Sequence, residues 1–225
     1  MAEQTKLWCL QNFNLFKEVE DHTLIEMAVR SHMSHTRKKE VIYFPEEPSN
    51  TIYLLKQGKI KISRISSDGQ TVTIALLGPG ELFGESAILG QDVRQNIAEV
   101  VEDSVICAID KSSFQELLEK SNVLSRRVST HIGRRMRDVE TKIEDLVFKD
   151  ARDRIVSFLS RYVKTFGKQM VDLWEVRPFL THQEIAELTA TSRQTVNSIL
   201  NELKSEGRID FTRQYLRISD LENLA

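Results

Sequence analysis

Four polar side chains near the C-terminus have the types and spacing needed to read base edges in DNA: Arg193, Gln194, Asn197 and Ser198. Arginine can make two hydrogen bonds to guanine, and glutamine or asparagine can do the same with adenine. Steps of three and four residues place these side chains on one face of a helix. Spacing alone equally allows an ordinary helical hairpin with a polar face.

The residues around this face favour DNA binding over that alternative. No carboxylate occurs on the face before Glu202, whereas a solvated helix more often mixes Glu and Lys. Hydroxyl, amide and guanidinium groups nearby are suited to phosphate contacts. The other predicted DNA-binding residues are Thr181, Gln183, Ser192, Thr195, Arg208 and Arg213, with Arg217 as a further cation.

A second group of residues could bind a phosphorylated small molecule. Gly84, Glu85 and Ser86 bring backbone N–H groups and a carboxylate to a short turn, and Arg94 and Gln95 follow a second turn. Amides together with one arginine can hold a phosphate, and a carboxylate can accept a ribose hydroxyl. Spacing does not separate this interpretation from a structural Glu–Arg pair across a loop.

Composition excludes several other chemistries. The 225 residues carry 31 Lys and Arg against 33 Asp and Glu, a net charge of −2, so a non-specific nucleic-acid binder is not indicated. Cys9 and Cys107 cannot form a four-thiolate cluster. We expect no metal or iron–sulfur site. A metal-binding barrel enzyme is disfavoured because residues 40–110 lack histidine.

The sequence also predicts that the protein is not an enzyme and is cytoplasmic. No Ser–His or Cys–His pair occurs at a catalytic motif spacing, and no Gly-rich phosphate loop precedes a helix. No apolar stretch is long enough to cross a membrane, and the N-terminus lacks the pattern of a signal peptide.

The DNA-reading residues require two short helices joined by a tight turn. Thr181 and Glu184 form a capping-box pattern, Ser192 can cap the second helix, and Gly207 can end it. An apolar stripe would bury the opposite face of the second helix: Val196, Ile199, Leu200 and Leu203. Strands at Arg208–Phe211 and Tyr215–Ile218 are predicted to follow as a wing.

The rest of the chain should supply a roll and a long helix. The pattern predicts helices in residues 1–40, and short antiparallel strands of a barrel or sandwich in 40–110. Val72 and Ile74 alternate with threonines as in a half-buried strand, and Asp68–Gly69 signals a hairpin. A helix is expected at Ala151–Phe166, followed by irregular chain to Phe179.

Five apolar residues within the helical stretch 111–148 follow the a/d rhythm of a coiled-coil seam. A narrow apolar stripe with charges on both sides favours pairing with a second copy over packing on its own domain. A homodimer would present two reading helices to two DNA half-sites. The predicted seam residues are Ile132, Met136, Val139, Ile143 and Leu146.

Four motifs together resemble the Crp/Fnr family of bacterial transcription regulators. They are LLKQGKIKI, GELFGESAIL, LTHQEIAELTATSRQTVNSIL and RISDLENL. The resemblance implies an α+β fold: an N-terminal β-roll (a double-stranded β-helix like cyclic-nucleotide-binding domains), a long dimerisation helix and a C-terminal winged helix-turn-helix. We place these at residues 1–118, 119–148 and 149–225. The resemblance also implies a homodimer on a near-palindromic operator and a roll that senses an effector.

The chain departs from the cyclic-AMP-binding members of that family. Their Arg–Ser pair for the cyclic phosphate is Arg94–Gln95 here, and their Thr–Ser pair for adenine is Val139–Glu140. Val139 offers no hydrogen bond, and the Glu140 carboxylate would repel an anion. We therefore expect that cyclic AMP is not the physiological ligand, and a ligand-independent regulator stays open.

Other departures concern the partners. The cysteine cluster and roll histidine of the family's iron–sulfur and haem sensors are absent. Ser198 and Ala190 replace a second reading arginine and the turn glycine, so we expect a different operator. Contact with RNA polymerase would be needed for activation, with residues 164–178 as the candidate surface. The alternative function is a nucleotide-sensing regulatory subunit that acts on a partner protein.

Overall fold

The computed structural model describes residues 6–11, 13–69, 71–221 and 224. Two compact units divide the chain, Met1–Asp138 and Val139–Ala225. The division falls inside a 27-residue helix, Asn122–Phe148, so each unit contains part of it. The domain boundaries expected from sequence stay a prediction. Glu222 and Asn223 of the closing motif lie outside the described residues.

The first unit is built on a six-stranded antiparallel sheet with the order β1-β6-β3-β4, in which β2 pairs with β6 and β5 with β3. Its strands are β1 (His32–Thr36), β2 (Val41–Tyr43), β3 (Thr51–Ile65), β4 (Thr71–Leu77), β5 (Leu82–Phe83) and β6 (Ile97–Asp110). The pairing of β3 with β6 shifts register three times between Leu55 and Ile60. Such bulges bend a strand and increase its twist, and so let the sheet close into a roll.

Side chains of β3 contribute to two apolar cores. Leu55, Ile60 and Ile62 belong to the core inside the roll. Ile52 and Leu54 belong to a second core that is covered by helices. Leu54 and Leu55 reach opposite cores by the ordinary alternation of a strand, whereas Ile60 and Ile62 share the side of Leu55 because register shifts intervene. The covering helices are α1 (Lys6–Gln11), α2 (Asp21–Arg30), α3 (Lys111–Lys120) and the first part of α4 (Asn122–Phe148).

The structure corrects three expectations in this unit. His32–Thr36, predicted to be helical, is the strand β1. In β4 the threonine side of the strand is buried near its start, not the valine side. Val72 is 58% exposed, whereas Thr73 is buried and its hydroxyl lies 3.4 Å from the Ser63 hydroxyl. The helical stretch 111–148 is interrupted at Ser121, whose hydroxyl accepts the N–H of Leu124.

The second unit combines three helices with a small sheet. Its helices are α5 (Ala151–Phe166), α6 (His182–Thr189) and α7 (Arg193–Ser205). The antiparallel sheet has the order β7-β8-β10-β9, with strands β7 (Lys168–Gln169), β8 (Trp174–Val176), β9 (Ile209–Phe211) and β10 (Leu216–Ile218). The predicted wing is present with slightly shorter strands. The expectation of irregular chain at 167–179 was wrong, because β7 and β8 lie there.

Candidate nucleic-acid interface and effector pocket

The first helix of the candidate interface, α6, begins with the expected capping box. The Thr181 hydroxyl accepts the N–H of Glu184 at 3.2 Å, and the Glu184 carboxylate accepts the N–H of Thr181 at 2.6 Å. This reciprocal pair satisfies two of the free donors at the helix start. The start of α6 is thereby fixed at the position where Thr181 is exposed and Gln183 follows on the first turn.

The turn between α6 and α7 contains a residue in the left-handed backbone conformation that is not glycine. Ala190 has φ 50°, and a side chain in this region costs roughly 1–2 kcal/mol. Arg154 of α5 supports the turn from outside. Its Nε donates to the carbonyl of Thr189 at 2.9 Å and its Nη2 to that of Ala190 at 3.2 Å. These carbonyls lie at the C-terminal end of α6, where a cation is favourable.

The second helix, α7, buries one face and exposes the other as predicted. Val196, Ile199, Leu200 and Leu203 are buried. The Ser192 hydroxyl accepts the N–H of Thr195 at 3.0 Å and so caps the helix. The predicted base-reading side chains are all exposed: Arg193, Gln194, Asn197 and Ser198. The geometry thus presents a polar face at the N-terminal half of α7, as major-groove reading requires.

Several predicted contact residues already have protein partners. Gln183 donates to Glu187 at 3.1 Å on the exposed side of α6. The hydroxyls of Ser192 and Thr195 lie 2.8 Å apart. Either hydroxyl can still accept or donate one further bond. The Ser192–Thr195 pair therefore combines a structural role at the helix start with a position beside the reading face.

The arginines of the wing differ in whether a carboxylate of the protein pairs with them. Arg217 donates to Glu175 at 2.6 Å, and Arg208 lies 3.5 Å from Glu206. Hydrogen bonds from Arg177 and Arg217 lower the pKa of Glu175 to about 2. Arg213 is exposed, and the described part of the chain places no carboxylate in an ion pair with it. Of the wing arginines, Arg213 is therefore the one most available to bind a DNA phosphate.

Sequence reasoning missed His182, the first residue of α6. Its ring is edge-on to Phe211, with 5.9 Å between ring centroids. Burial, followed by the positive charge of Arg193, lowers the pKa of His182. The lowered pKa favours the uncharged form of this ring beside Arg193, a predicted base-reading side chain. Its position between Thr181 and Gln183, both predicted site residues, was the available signal.

The candidate effector site in the roll is organised around Arg94, which is only 3% exposed. Its guanidinium donates to the carbonyls of Gly84, at 3.0 Å, and Thr51, and lies 3.5 Å from the Ser86 hydroxyl. Gly84 has φ 76°, and a Cβ there would come within 2.9 Å of Arg94 Nη1. Glycine at this position is therefore required for the arginine to lie where it does.

Arg94 also has one buried donor without a partner. Its Nε makes no hydrogen bond to any described residue, and such orphan donors are rare in folded proteins. The guanidinium lies over the ring of Tyr43, 4.5 Å from the centroid, and near Tyr53 at 5.7 Å. An acceptor such as a phosphate oxygen suits this group. The two tyrosines were not predicted, since only the fold brings them to Arg94.

Glu85 does not form the alternative pair with Arg94 that its spacing allows. Its carboxylate pairs with Arg135 of α4 at 3.0 Å, so the interpretation of a structural Glu85–Arg94 ion pair is wrong. Gln95 points elsewhere and accepts from Arg64. The structure brings Gly84, Ser86 and Arg94 together, with Glu85 adjacent, and adds Arg135. Val139 and Glu140 are exposed on α4 and belong to the second unit.

The predicted seam side chains lie on α4. Ile132 is partly buried against the helix-covered core of the first unit. The other four are exposed in the single chain, with Met136 at 64%. The three remaining seam side chains are 43–55% exposed: Val139, Ile143 and Leu146. An exposed apolar stripe of this kind along a helix is typical of an interaction surface.

Metal-binding and membrane-spanning features are not found in the described part of the chain. Among those residues, no group of three His, Cys, Asp or Glu side chains is arranged to hold a metal ion. Within the same residues, no helix has both the length and the apolar content to cross a bilayer. Cys107 is buried.

Comparisons with known proteins match both units. Residues 34–121 match the family model of the cyclic nucleotide-binding domain, and residues 153–225 match that of the Crp-like helix-turn-helix domain. The Cyclic AMP receptor protein of Thermus thermophilus is 32% identical over 166 residues, 74% of either chain. A CRP-like cAMP-activated global transcriptional regulator of Mycobacterium tuberculosis is 26% identical over 216 residues, 96% of either chain.

A solved structure gives the same result. A mutant of CooA from Carboxydothermus hydrogenoformans superposes with a TM-score of 0.75 at 25% sequence identity. The match covers 98% of this chain and 94% of that one. The similarity therefore includes the roll, the long helix and the helix-turn-helix.

Proposed function

Because the chain belongs to the Crp/Fnr family of transcription regulators, we propose that it acts as a homodimer on a near-palindromic DNA operator. One observation carries the proposal. The N-terminal half of α7 exposes Arg193, Gln194, Asn197 and Ser198 together, while its opposite face is buried. These groups can make the hydrogen bonds that distinguish base pairs in the major groove.

The exposed stripe on α4 supports the dimer. Pairing two stripes would bury Met136, Val139, Ile143 and Leu146, which are otherwise left in water. Removing apolar area from water stabilises by roughly 25 cal/mol per Å². A parallel pair of such helices would also give the two reading helices the symmetry of a palindromic site.

An anionic effector in the roll fits the Arg94 site. The buried Arg94 Nε lacks an acceptor among the described residues, and Ser86 lies beside the guanidinium. Two relatives bear names that refer to cyclic AMP. Here Gln95 is turned toward Arg64, and Val139 offers no hydrogen bond, so we propose an anion other than cyclic AMP. Low-micromolar binding of cyclic AMP in isothermal titration would contradict this.

The remaining parts of the proposal follow from a role in transcription. The protein performs no catalysis, holds no metal and acts in the bacterial cytoplasm, with RNA polymerase as a further partner where it activates. A regulatory subunit that docks on another protein is the alternative function. A docking helix would expose an apolar patch. The exposed face of α7 is polar instead, which favours DNA.

Selection of bound DNA from a random pool tests the proposal. The full-length protein should enrich a near-palindrome with half-sites one helical turn apart, or a multiple of it. Repeating the selection with a small-molecule extract shows whether an effector raises the affinity. A pool that yields no consensus under either condition would overturn the proposal and favour the docking alternative.

A further inference from the structure

A buried carboxylate joins the long helix to the first helix of the reading domain. Asp145 of α4 is 5% exposed, although its neighbours Glu144 and Leu146 are exposed. It pairs with Lys149 at 2.7 Å and with Arg161 of α5 at 2.5 Å. Burial opposes the charge, but the bonds from Lys149 and Arg161 prevail and hold the pKa of Asp145 below its ordinary value.

Lys149 extends this cluster, because it lies in the connection between α4 and α5. Its Nζ also donates to the hydroxyl of Ser157 on α5 at 2.8 Å. Its N–H donates to the Asp145 carbonyl at 3.1 Å. The connection is therefore held to both helices by side-chain and backbone bonds. A glycine-rich flexible linker would lack such bonds.

A second arginine continues the path to the helix-turn-helix. Arg154 donates to the Lys149 carbonyl at 2.8 Å, and the same guanidinium reaches the carbonyls of Thr189 and Ala190. The latter two form the turn that precedes Ser192, the cap of α7. A chain of polar contacts thus connects Asp145 on α4, through Lys149 and Arg154, to the turn before α7. Every member lies within the unit Val139–Ala225.

We propose that Asp145 and Arg161 set the direction of the reading helix relative to the dimer seam and thereby fix the half-site spacing that the protein accepts. The inference rests on the proposed homodimer. Its physical basis is that bivalent binding to DNA is lost when the geometry forbids both subunits from engaging together. Asp145 is a positioning residue, since it acts through α5 and the turn, not through contact with DNA.

Binding to duplexes of different spacing tests the proposal. The selected operator, an operator lengthened by one base pair at its centre, and an isolated half-site are compared by fluorescence anisotropy. For the native protein, we expect the lengthened operator to bind about tenfold more weakly than the selected one. For Asp145→Asn, this discrimination should fall to about twofold or less, while half-site affinity is unchanged.

Matched variants separate positioning from stability and charge. Glu144→Gln removes an exposed carboxylate next door and should keep the native discrimination. Arg161→Gln removes the α5 partner, leaves Asp145 paired with Lys149, and should also relax the spacing. All measurements are made well below the thermal midpoint of each variant, so Arg161→Gln decides the question if Asp145→Asn does not fold.

Two outcomes would overturn the inference. Native spacing discrimination in both Asp145→Asn and Arg161→Gln would show that the cluster does not set direction. An equal loss on the operator and the half-site would assign the cluster to domain stability alone. Absence of any DNA consensus for the native protein is a different result, since it would remove the proposed function itself.

Discussion

Arg193 is the side chain that we predict to contribute most to base recognition. It is exposed at the first position of α7, one residue after the cap Ser192. Arg193→Ala should weaken operator binding by about 1–3 kcal/mol per half-site and relax the preference at one base pair. Competition with operators substituted at each position measures the change. An equal loss on every sequence would show that Arg193 contacts phosphate only.

Lysine at position 193 provides the control for charge. Arg193→Lys keeps the positive charge but loses the planar pair of donors that matches guanine. We expect it to retain the salt dependence of the native protein while losing part of the discrimination at the same base pair. A variant that discriminated as well as the native protein would indicate recognition by charge and shape.

The lowered pKa of Lys142 predicts how the stability of the folded protein changes with pH. Burial, and secondly the charge of Arg161, lowers the pKa of Lys142 to about 8 from its ordinary 10.5. Below pH 8 the ammonium is charged in both states, and the folded state carries its desolvation cost. Between the two values the unfolded chain holds more protons, so folded stability rises with pH.

Lys142→Met tests this sign because it removes the charge and keeps an unbranched side chain that is one atom shorter. The variant should be more stable than the native protein at pH 7, by about 2 kcal/mol. Its advantage should shrink as the pH rises from 8 to 10.5, since the native amine is then neutral when folded. Thermal unfolding at several pH values measures the difference, in which the other titrating groups cancel. An advantage that is constant with pH would indicate a packing effect.

At the scale of elements, the wing separates free from neutralised arginines. Arg213→Ala should weaken binding to all sequences evenly and reduce the slope of log affinity against log salt by about 1. Arg217→Ala should change the slope less, because Glu175 already pairs with Arg217 at 2.6 Å. Equal slopes for the two variants would mean that DNA displaces Glu175 from Arg217.

Local sequence signals located the helix-turn-helix well. The capping box at Thr181, the cap Ser192 and the end at Gly207 each depend on a few neighbouring residues, so they could be recognised directly. The same approach failed at His32–Thr36, where a mostly polar segment becomes a strand because it pairs with β6. It failed again at Trp174–Val176, which becomes a strand because β7 and β10 lie beside it.

The effector site shows the same limit for long-range contacts. Gly84 and Arg94 could be paired from a motif, but the partner of Glu85 could not. That partner, Arg135, is 50 residues further along the chain and reaches Glu85 because the first part of α4 lies against the roll. Tyr43 and Tyr53 likewise meet Arg94 through three different segments. Sequence patterns record none of these distances.

At the scale of the whole molecule, the predicted function depends on two copies. The net charge of −2 gives little general attraction to DNA, so affinity must come from local contacts made twice. A single helix-turn-helix offers few such contacts. Linking two of them raises the affinity steeply, provided that both half-sites are reached together.

Ile143→Asp tests this dependence, since Ile143 is 55% exposed in the single chain and belongs to the predicted seam. A carboxylate in a paired apolar seam would face its own copy, and both the lost burial and the repulsion oppose association. The variant should sediment as a folded monomer at concentrations where the native protein is a dimer. Its affinity for the full operator should fall to that for an isolated half-site, because the bivalent term disappears.

Val72→Asp, at an exposed site on the roll, is the control and should leave both properties unchanged. A dimeric Ile143→Asp protein with native operator affinity would place the subunit interface on another surface and would remove the geometric basis for two half-sites.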